Sequence, residues 1–168
     1  MSESLSEEVN MLSKPVNGWT EFCLGDKTYS LSYTDDIPFT WIRQAIHGLT
    51  NSIPFCVVGD EEPGTVICVV GWDCHLIFEP DYKSVQKGQI EHYYSNVDAV
   101  MFSEMLYKDI VENFDEWVSF YWIANNYNIQ ERRAELNSLL QRLSNLIDTK
   151  RSSSDNYPFR KITHLKQY

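Results

Sequence analysis

The sequence predicts an α+β fold: an antiparallel sheet of about five strands with a short helix, a long helix and a C-terminal helix packed on it. Two observations lead to this prediction. Short apolar runs and period-two alternation, typical of strands, fill much of the first half, and two long stripes at helical spacing follow residue 98. With 168 residues, 43% of them hydrophobic, the chain can bury one core. We therefore expect a mobile leader over residues 1–16, one domain over 17–149 and a basic tail over 150–168.

A β-hairpin opens the predicted domain. Apolar and polar side chains alternate from Trp19, Gly25-Asp26 provides a turn, and the alternation resumes up to Tyr33. Three short apolar runs bounded by turn residues predict further strands over residues 54–59, 65–70 and 74–78, with one more edge strand around 85–90. Such a sheet needs one covered face to be stable, so helices must pack on one side.

Three helices are predicted to cover the sheet. The first spans residues 37–49, the second roughly 98–125 and the third 129–148, with a joint at 125–128 that makes the last two an antiparallel helical hairpin. The last stripe has a second interpretation. Three of its residues recur at heptad spacing (Ile129, Leu136 and Leu143), so residues 129–148 also fit the seam of a coiled-coil homodimer.

Charge is distributed unevenly along the chain. The net charge of −10 is composed of −14 over residues 1–126 and +4 over 127–168. We expect the C-terminal segment to fold back on the acidic body, the alternative being that it meets a separate acidic surface. A nucleic-acid partner is not expected, because phosphate neutralisation requires clustered Lys and Arg.

A cytoplasmic location is expected from the N-terminus and the cysteines. The first nine residues are polar and acidic, unlike a secretory signal, and no stretch is apolar enough to cross a bilayer, so no membrane partner is expected. The four cysteines lie in strand-like stretches and are predicted to be buried thiols (Cys23, Cys56, Cys68 and Cys74).

No motif in the sequence specifies a reaction. The adjacent pair Cys74-His75 would point to opposite faces of a strand, so the two side chains cannot easily form a nucleophile and its base. The carboxylates of Asp35-Asp36, just before Pro38, fit a helix cap better than an acid/base pair. Metal-ligand spacings and phosphate-binding loops are missing from the sequence, so we expect no catalytic residue, no metal and no cofactor.

Candidate binding residues were therefore sought among side chains that are hard to bury. The acidic turn of Asp60, Glu61 and Glu62 would attract basic partners. Trp72 stands at a turn between two strands, and Tyr93 and Tyr94 lie in an irregular stretch; Trp and Tyr are the residues that anchor protein interfaces. These six residues form the predicted interaction site, and a plainly solvated hairpin tip is the alternative for the acidic turn.

A resemblance supports a binding role. The hairpin from Gly18-Trp19 to Ser32-Tyr33, the helix after it, the turn Asp60-Glu61-Glu62-Pro63-Gly64 and the strand closing at Trp72 resemble a class of uncharacterised bacterial proteins. That class is often regarded as immunity proteins of polymorphic toxin systems. The resemblance covers residues 18–80 and brings no catalytic residue with it. It implies a protein that binds, and so neutralises, a toxin domain.

These observations predict a non-enzymatic cytoplasmic module that binds a basic protein, such as a toxin domain, through an acidic face. Two alternatives remain. One is a small-molecule-binding or hydrolytic domain with a cleft between sheet and long helix, near His47, Cys56 or Cys74. The other is an oligomeric scaffold assembled through residues 129–148.

Overall fold

The computed structural model describes residues 10–80 and 90–153, which form two antiparallel sheets and a layer of helices. The strands are β1 (Trp19–Leu24), β2 (Lys27–Ser32), β3 (Phe55–Asp60), β4 (Thr65–Val70), β5 (Cys74–Glu79) and β6 (Glu91–Ser95). The helices are α1 (Ile37–Asn51), α2 (Ala99–Glu112), α3 (Phe114–Val118) and α4 (Ile129–Ser152), with a short 3₁₀ turn at Ala124–Asn126. The α+β class and the order of elements are as predicted.

The predicted hairpin is a separate two-stranded sheet rather than part of one five-stranded sheet. Trp19 pairs with Ser32 and Leu24 with Lys27, and Gly25 in the turn has a φ of 65°, which a residue without Cβ adopts freely. Residues 10–16, the described part of the predicted leader, pack along β1. The amide of Cys23 donates to the carbonyl oxygen of Met11 at 2.7 Å, and Met11 is buried.

The larger sheet has the strand order β3-β4-β5-β6. Its edge strand lies at Glu91–Ser95, whereas most of the predicted stretch 85–90 lies outside the described residues. Buried side chains alternate along the strands and face the helices; they include Phe55, Val57, Val66, Cys68, Val70, Cys74 and Leu76. The inner face of this sheet therefore forms one side of the hydrophobic core.

The helix predicted over 98–125 is interrupted. At Asn113 the backbone leaves helical geometry, with φ −120° and ψ 41°, and α2 ends one residue earlier. Asparagine competes for backbone hydrogen bonds and favours helix ends, which the apolar stripe concealed. After the break, the short α3 turns so that Trp117 and Val118 are both fully buried.

Helix α4 lies between α1 and α2, parallel to the first and antiparallel to the second. Arg132 bonds to Asp36 and Lys150 to Ser52 along α1, whereas Arg151 pairs with Glu104 and Arg133 with Asp115 across α2 and α3. Four basic residues of this helix thus contact the acidic body, which shows the described residues up to 153 folded back on it. None of the described helices is long and apolar enough to span a bilayer.

The predicted dimer seam is used inside one chain. Leu136 and Leu143 are fully buried against the other helices, and only Ile129 of the heptad triplet is exposed. Two of the three residues cannot meet a second copy in this conformation. The structure gives no support to a homodimer through residues 129–148.

Candidate functional site

The outer face of the four-stranded sheet is the most distinctive surface of the described chain. Strand register places its side chains in three rows across the sheet. The rows are Cys56–Val69–His75–Tyr94, then Val58–Ile67–Ile77–His92, then Asp60–Thr65–Glu79. We call these eleven residues the outer sheet face.

The first two rows are unusually apolar for a face that looks away from the core. Val58 is 41% exposed, Val69 38% and Tyr94 62%. The Tyr94 ring meets His75 edge-on, with ring centroids 4.0 Å apart. Antiparallel sheets with one solvated face normally carry polar residues there. No described element covers this face.

The third row makes one end of the outer sheet face acidic. Asp60 and Glu79 lie on either side of Thr65, and Asp35 lies close enough to Asp60 to feel its charge. Burial and then the charge of Asp60 raise the pKa of Asp35 to about 6. The negative charge at this end of the sheet therefore opposes the ionisation of Asp35.

The acidic turn is attached to the hairpin sheet, unlike a freely solvated tip. The Asp60 carboxylate accepts a hydrogen bond from Thr34 Oγ1 at 3.2 Å, Glu61 accepts one from the Ser30 amide at 3.3 Å, and Glu62 accepts one from the Ser32 hydroxyl. Burial, followed by the charges of Glu21 and Glu91, raises the pKa of Glu61. The turn therefore joins the two sheets as well as supplying negative charge.

The six predicted site residues do not form one cluster. Trp72, 36% exposed, stands in the β4–β5 turn, at the opposite end of the sheet from the acidic turn. Tyr94 lies on the outer sheet face, but its neighbour Tyr93 points to the inner side, where its hydroxyl approaches Gly25 and its ring lies 5.8 Å from Lys27 Nζ. Asp60 and Tyr94 share the outer sheet face, and Trp72 and Glu62 lie beyond its two ends.

A second exposed group was missed by the sequence reasoning, which assigned most aromatics to the core. Trp19, Tyr33 and Trp122 are 38%, 41% and 57% exposed. Backbone bonds hold them near one another: the Tyr33 amide donates to Gly18, next to Trp19, and the Trp122 amide donates to the Tyr33 carbonyl oxygen at 3.0 Å. These contacts join residues that are far apart in the sequence. The sequence alone therefore does not reveal that the three side chains lie close together.

The residues named for the hydrolytic alternative lie in different environments. His47 lines a groove between α1 and α4 that has no cysteine in its lining. Cys68 and Cys74 are buried under the helices, where the hydrogen bond of the Cys68 thiol to Cys74, followed by burial, raises the pKa of Cys68 well above its usual range. The prediction that all four thiols are buried was wrong for two of them: Cys23 is half-buried, and Cys56 is exposed on the outer sheet face because its strand alternates. No group of three potential metal ligands was found among the described residues.

Asp36 also differs from expectation. It stands at the N-cap position of α1, but its side chain bonds no helix amide and instead pairs with Arg132.

In comparisons with protein-family models, curated proteins and solved structures, nothing matched this chain.

Proposed function

We propose that this chain is a protein-binding module whose partner docks on the outer sheet face. The observation that carries the proposal is the pair of apolar rows, with Val58, Val69 and Tyr94 open to solvent on a side of the sheet where polar residues are the rule. Contiguous apolar surface of this kind is typical of interaction sites, and an exposed tyrosine is a frequent interface anchor.

The size of the sheet indicates how far the partner extends. Three strands of six residues and one of five span roughly 14 Å by 17 Å. This area is smaller than the roughly 800 Å² that each partner contributes to a standard interface. A stable complex therefore also uses the two ends, where Trp72 and the acidic turn with Glu62 lie. Of the predicted site residues, Asp60 and Tyr94 would then lie on the face itself, and Trp72 and Glu62 at its two ends.

The charges of the outer sheet face specify the partner's chemistry. The row with Asp60 and Glu79 has no lysine or arginine in it, and Glu62 adds a further carboxylate beyond that end. A complementary surface is apolar in its middle and basic at one end. Opposite charge speeds encounter and fixes orientation, while the apolar rows supply most of the affinity. Neutralisation of a basic toxin domain, in the manner of an immunity protein, is the specific form of this role that we propose.

Two matched pairs of variants test the proposal. Val69→Thr and Tyr94→Ala remove apolar contact from the outer sheet face without changing its charge. Val111→Thr and Tyr127→Ala make the same changes at exposed positions on the helical side. Proteins captured by the wild-type chain from its source cells are identified, and the purified pair is then measured by calorimetry. We expect Tyr94→Ala to weaken binding tenfold or more, as for an interface anchor.

Salt and charge provide the second arm of the test. The double variant Asp60→Asn/Glu79→Gln should slow association and reduce its dependence on ionic strength. The proposal is overturned if the wild-type chain enriches no protein over the Tyr94→Ala variant, or if the helical-side variants weaken the complex as much as those on the outer sheet face.

A further inference from the structure

A groove between α1 and α4, on the helical side of the molecule, gathers positive charge in an otherwise acidic chain. Its volume is about 240 Å³. Its polar lining consists of Arg43, His47, Thr50, Asn51 and Arg142, and its apolar floor of Ile46 and Leu139. No carboxylate belongs to this lining. The groove is smaller than the cavities that hold drug-sized ligands, so it fits a small group.

Two guanidinium groups approach the groove from different helices. Arg142 on α4 has no ion-pair partner among the described residues. Arg43 on α1 contacts Glu135, but the two side chains are 49% and 53% exposed. A solvated pair of this kind contributes little stability, so a competing anion can displace the carboxylate. Arginine forks are suited to bidentate contact with planar or tetrahedral oxyanions.

The neutral groups of the groove add donors. Asn51 Nδ2 lies 3.3 Å from His47 Nδ1 and also donates to the His47 carbonyl oxygen at 2.9 Å. When this amide donates to Nδ1, the imidazole carries its proton on Nε2, which is then a hydrogen-bond donor. The Thr50 hydroxyl supplies another.

We propose that the α1–α4 groove binds a small oxyanion, a phosphate group being the best match to two arginines and an imidazole donor. The ligand is either free phosphate or the phosphoryl group of a small metabolite. This site is independent of the outer sheet face, because α4 lies on the opposite side of α1 from the sheet, with Leu139 and Arg142 toward the groove.

Titration with inorganic phosphate, followed by amide NMR shifts of the full chain, tests the site. We expect saturable shifts at residues 43, 47, 50, 51 and 142, and an affinity about tenfold lower in Arg142→Gln, which loses one charge-assisted contact. Glu135→Gln should bind more tightly than the wild type, because it frees Arg43. Arg133→Gln removes an arginine that lies elsewhere on α4 and pairs with Asp115. This variant should not change the affinity.

Arg142→Gln and Arg133→Gln change the net charge equally, so a loss of affinity in the first variant alone separates a built site from general attraction of anions. Sulfate and chloride at equal ionic strength form the second comparison. Competition by a phosphomonoester such as glycerol phosphate would extend the ligand class from free phosphate to metabolites. Shifts spread over the surface, equal effects of Arg133→Gln and Arg142→Gln, or weaker binding by Glu135→Gln would overturn the proposal.

Discussion

Arg132 donates two parallel hydrogen bonds to the carboxylate of Asp36, from Nη1 to Oδ2 and from Nη2 to Oδ1, each at 2.9 Å. Its Nε donates to the Val118 carbonyl oxygen at 2.9 Å, and its guanidinium carbon lies 4.3 Å from the centre of the Phe39 ring. The arginine side chain is only 8% exposed. One residue near the start of α4 therefore joins that helix to the beginning of α1 and the end of α3.

We expect Arg132→Met to lower the free energy of unfolding by about 3 kcal/mol, because it leaves a partly buried carboxylate without its partner. Urea denaturation measures the change. Arg133→Met is the matched control on the same helix: its pair with Asp115 is far more exposed, so the loss should stay within about 1 kcal/mol. Equal losses in the two variants would contradict this role for Arg132.

Asp35 and Asp36 are adjacent in sequence but should respond oppositely to neutralisation. The pKa of Asp35 is raised to about 6 from an ordinary 3.8, so the folded state binds this proton more tightly than the unfolded state. The contribution of Asp35 to stability therefore decreases as the pH rises from about 4 to about 6. Asp35→Asn should raise the free energy of unfolding at pH 7 by about 1 kcal/mol, a value reduced from the full shift because the side chain is partly solvated.

Thermal unfolding of Asp35→Asn and wild type between pH 4 and pH 7 measures this difference. The difference between the two curves should shrink as the pH falls toward 4, where the wild-type carboxyl is protonated in the folded state and partly protonated in the unfolded state. Asp36→Asn is the control and should lose stability at pH 7, because Arg132 then lacks a charged partner. A stabilising effect of Asp35→Asn that persists unchanged at pH 4 would contradict the electrostatic explanation.

Asp109 fixes residues 10–13 to the helical layer. Its buried carboxylate accepts a hydrogen bond from the Leu12 amide at 2.7 Å. Asp109→Ala leaves that amide unsatisfied, which should cost about 1–3 kcal/mol and speed hydrogen exchange at Leu12. Glu112→Ala, one turn later and exposed, should stay within about 0.5 kcal/mol of the wild type. Unchanged exchange at Leu12 in the first variant would count against the contact.

Gly48 allows α1 to approach β3 closely. A Cβ at this position would overlap the Phe55 ring and lie 3.0 Å from the Ile53 carbonyl oxygen. Alanine normally stabilises a helix by about 1 kcal/mol over glycine, but here the overlap should dominate, and we expect Gly48→Ala to lower stability by about 1–2 kcal/mol. Gln44→Ala in the exposed part of α1 is the control for helix propensity and should be neutral in urea denaturation. A Gly48→Ala variant more stable than the wild type would show that β3 shifts to accommodate the added Cβ.

Much of the fold is visible in the spacing of apolar residues. The hairpin from Trp19 and the helix that begins at Ile37 are local patterns, and the structure has them where the sequence predicts them. The break at Asn113 is hidden, because Phe114 and Trp117 continue the apolar spacing of the helical stripe. The pairing of Asp36 with Arg132 joins residues 96 positions apart, which no local pattern reveals.

The candidate site was predictable only in part. From the sequence, Tyr93 and Tyr94 are expected in an irregular stretch, whereas they are neighbours on β6 and therefore point to opposite faces. The run Thr65–Val70 carried the missed signal. It is apolar on both faces, which indicates burial on both sides, yet the predicted helices suffice to cover only one. The uncovered side is the outer sheet face.

The position of α4 has a consequence for how the chain is made. Leu136, Leu140, Leu143 and Ile147 complete the helical core against α1 and α2, which are synthesised earlier. At 5–20 residues per second, the 24 residues of α4 take roughly 1–5 s to appear. During that interval the nascent chain presents the apolar surface that α4 will cover. We therefore expect chaperones to engage nascent chains that lack α4 and to release them once Arg132 and these leucines have docked.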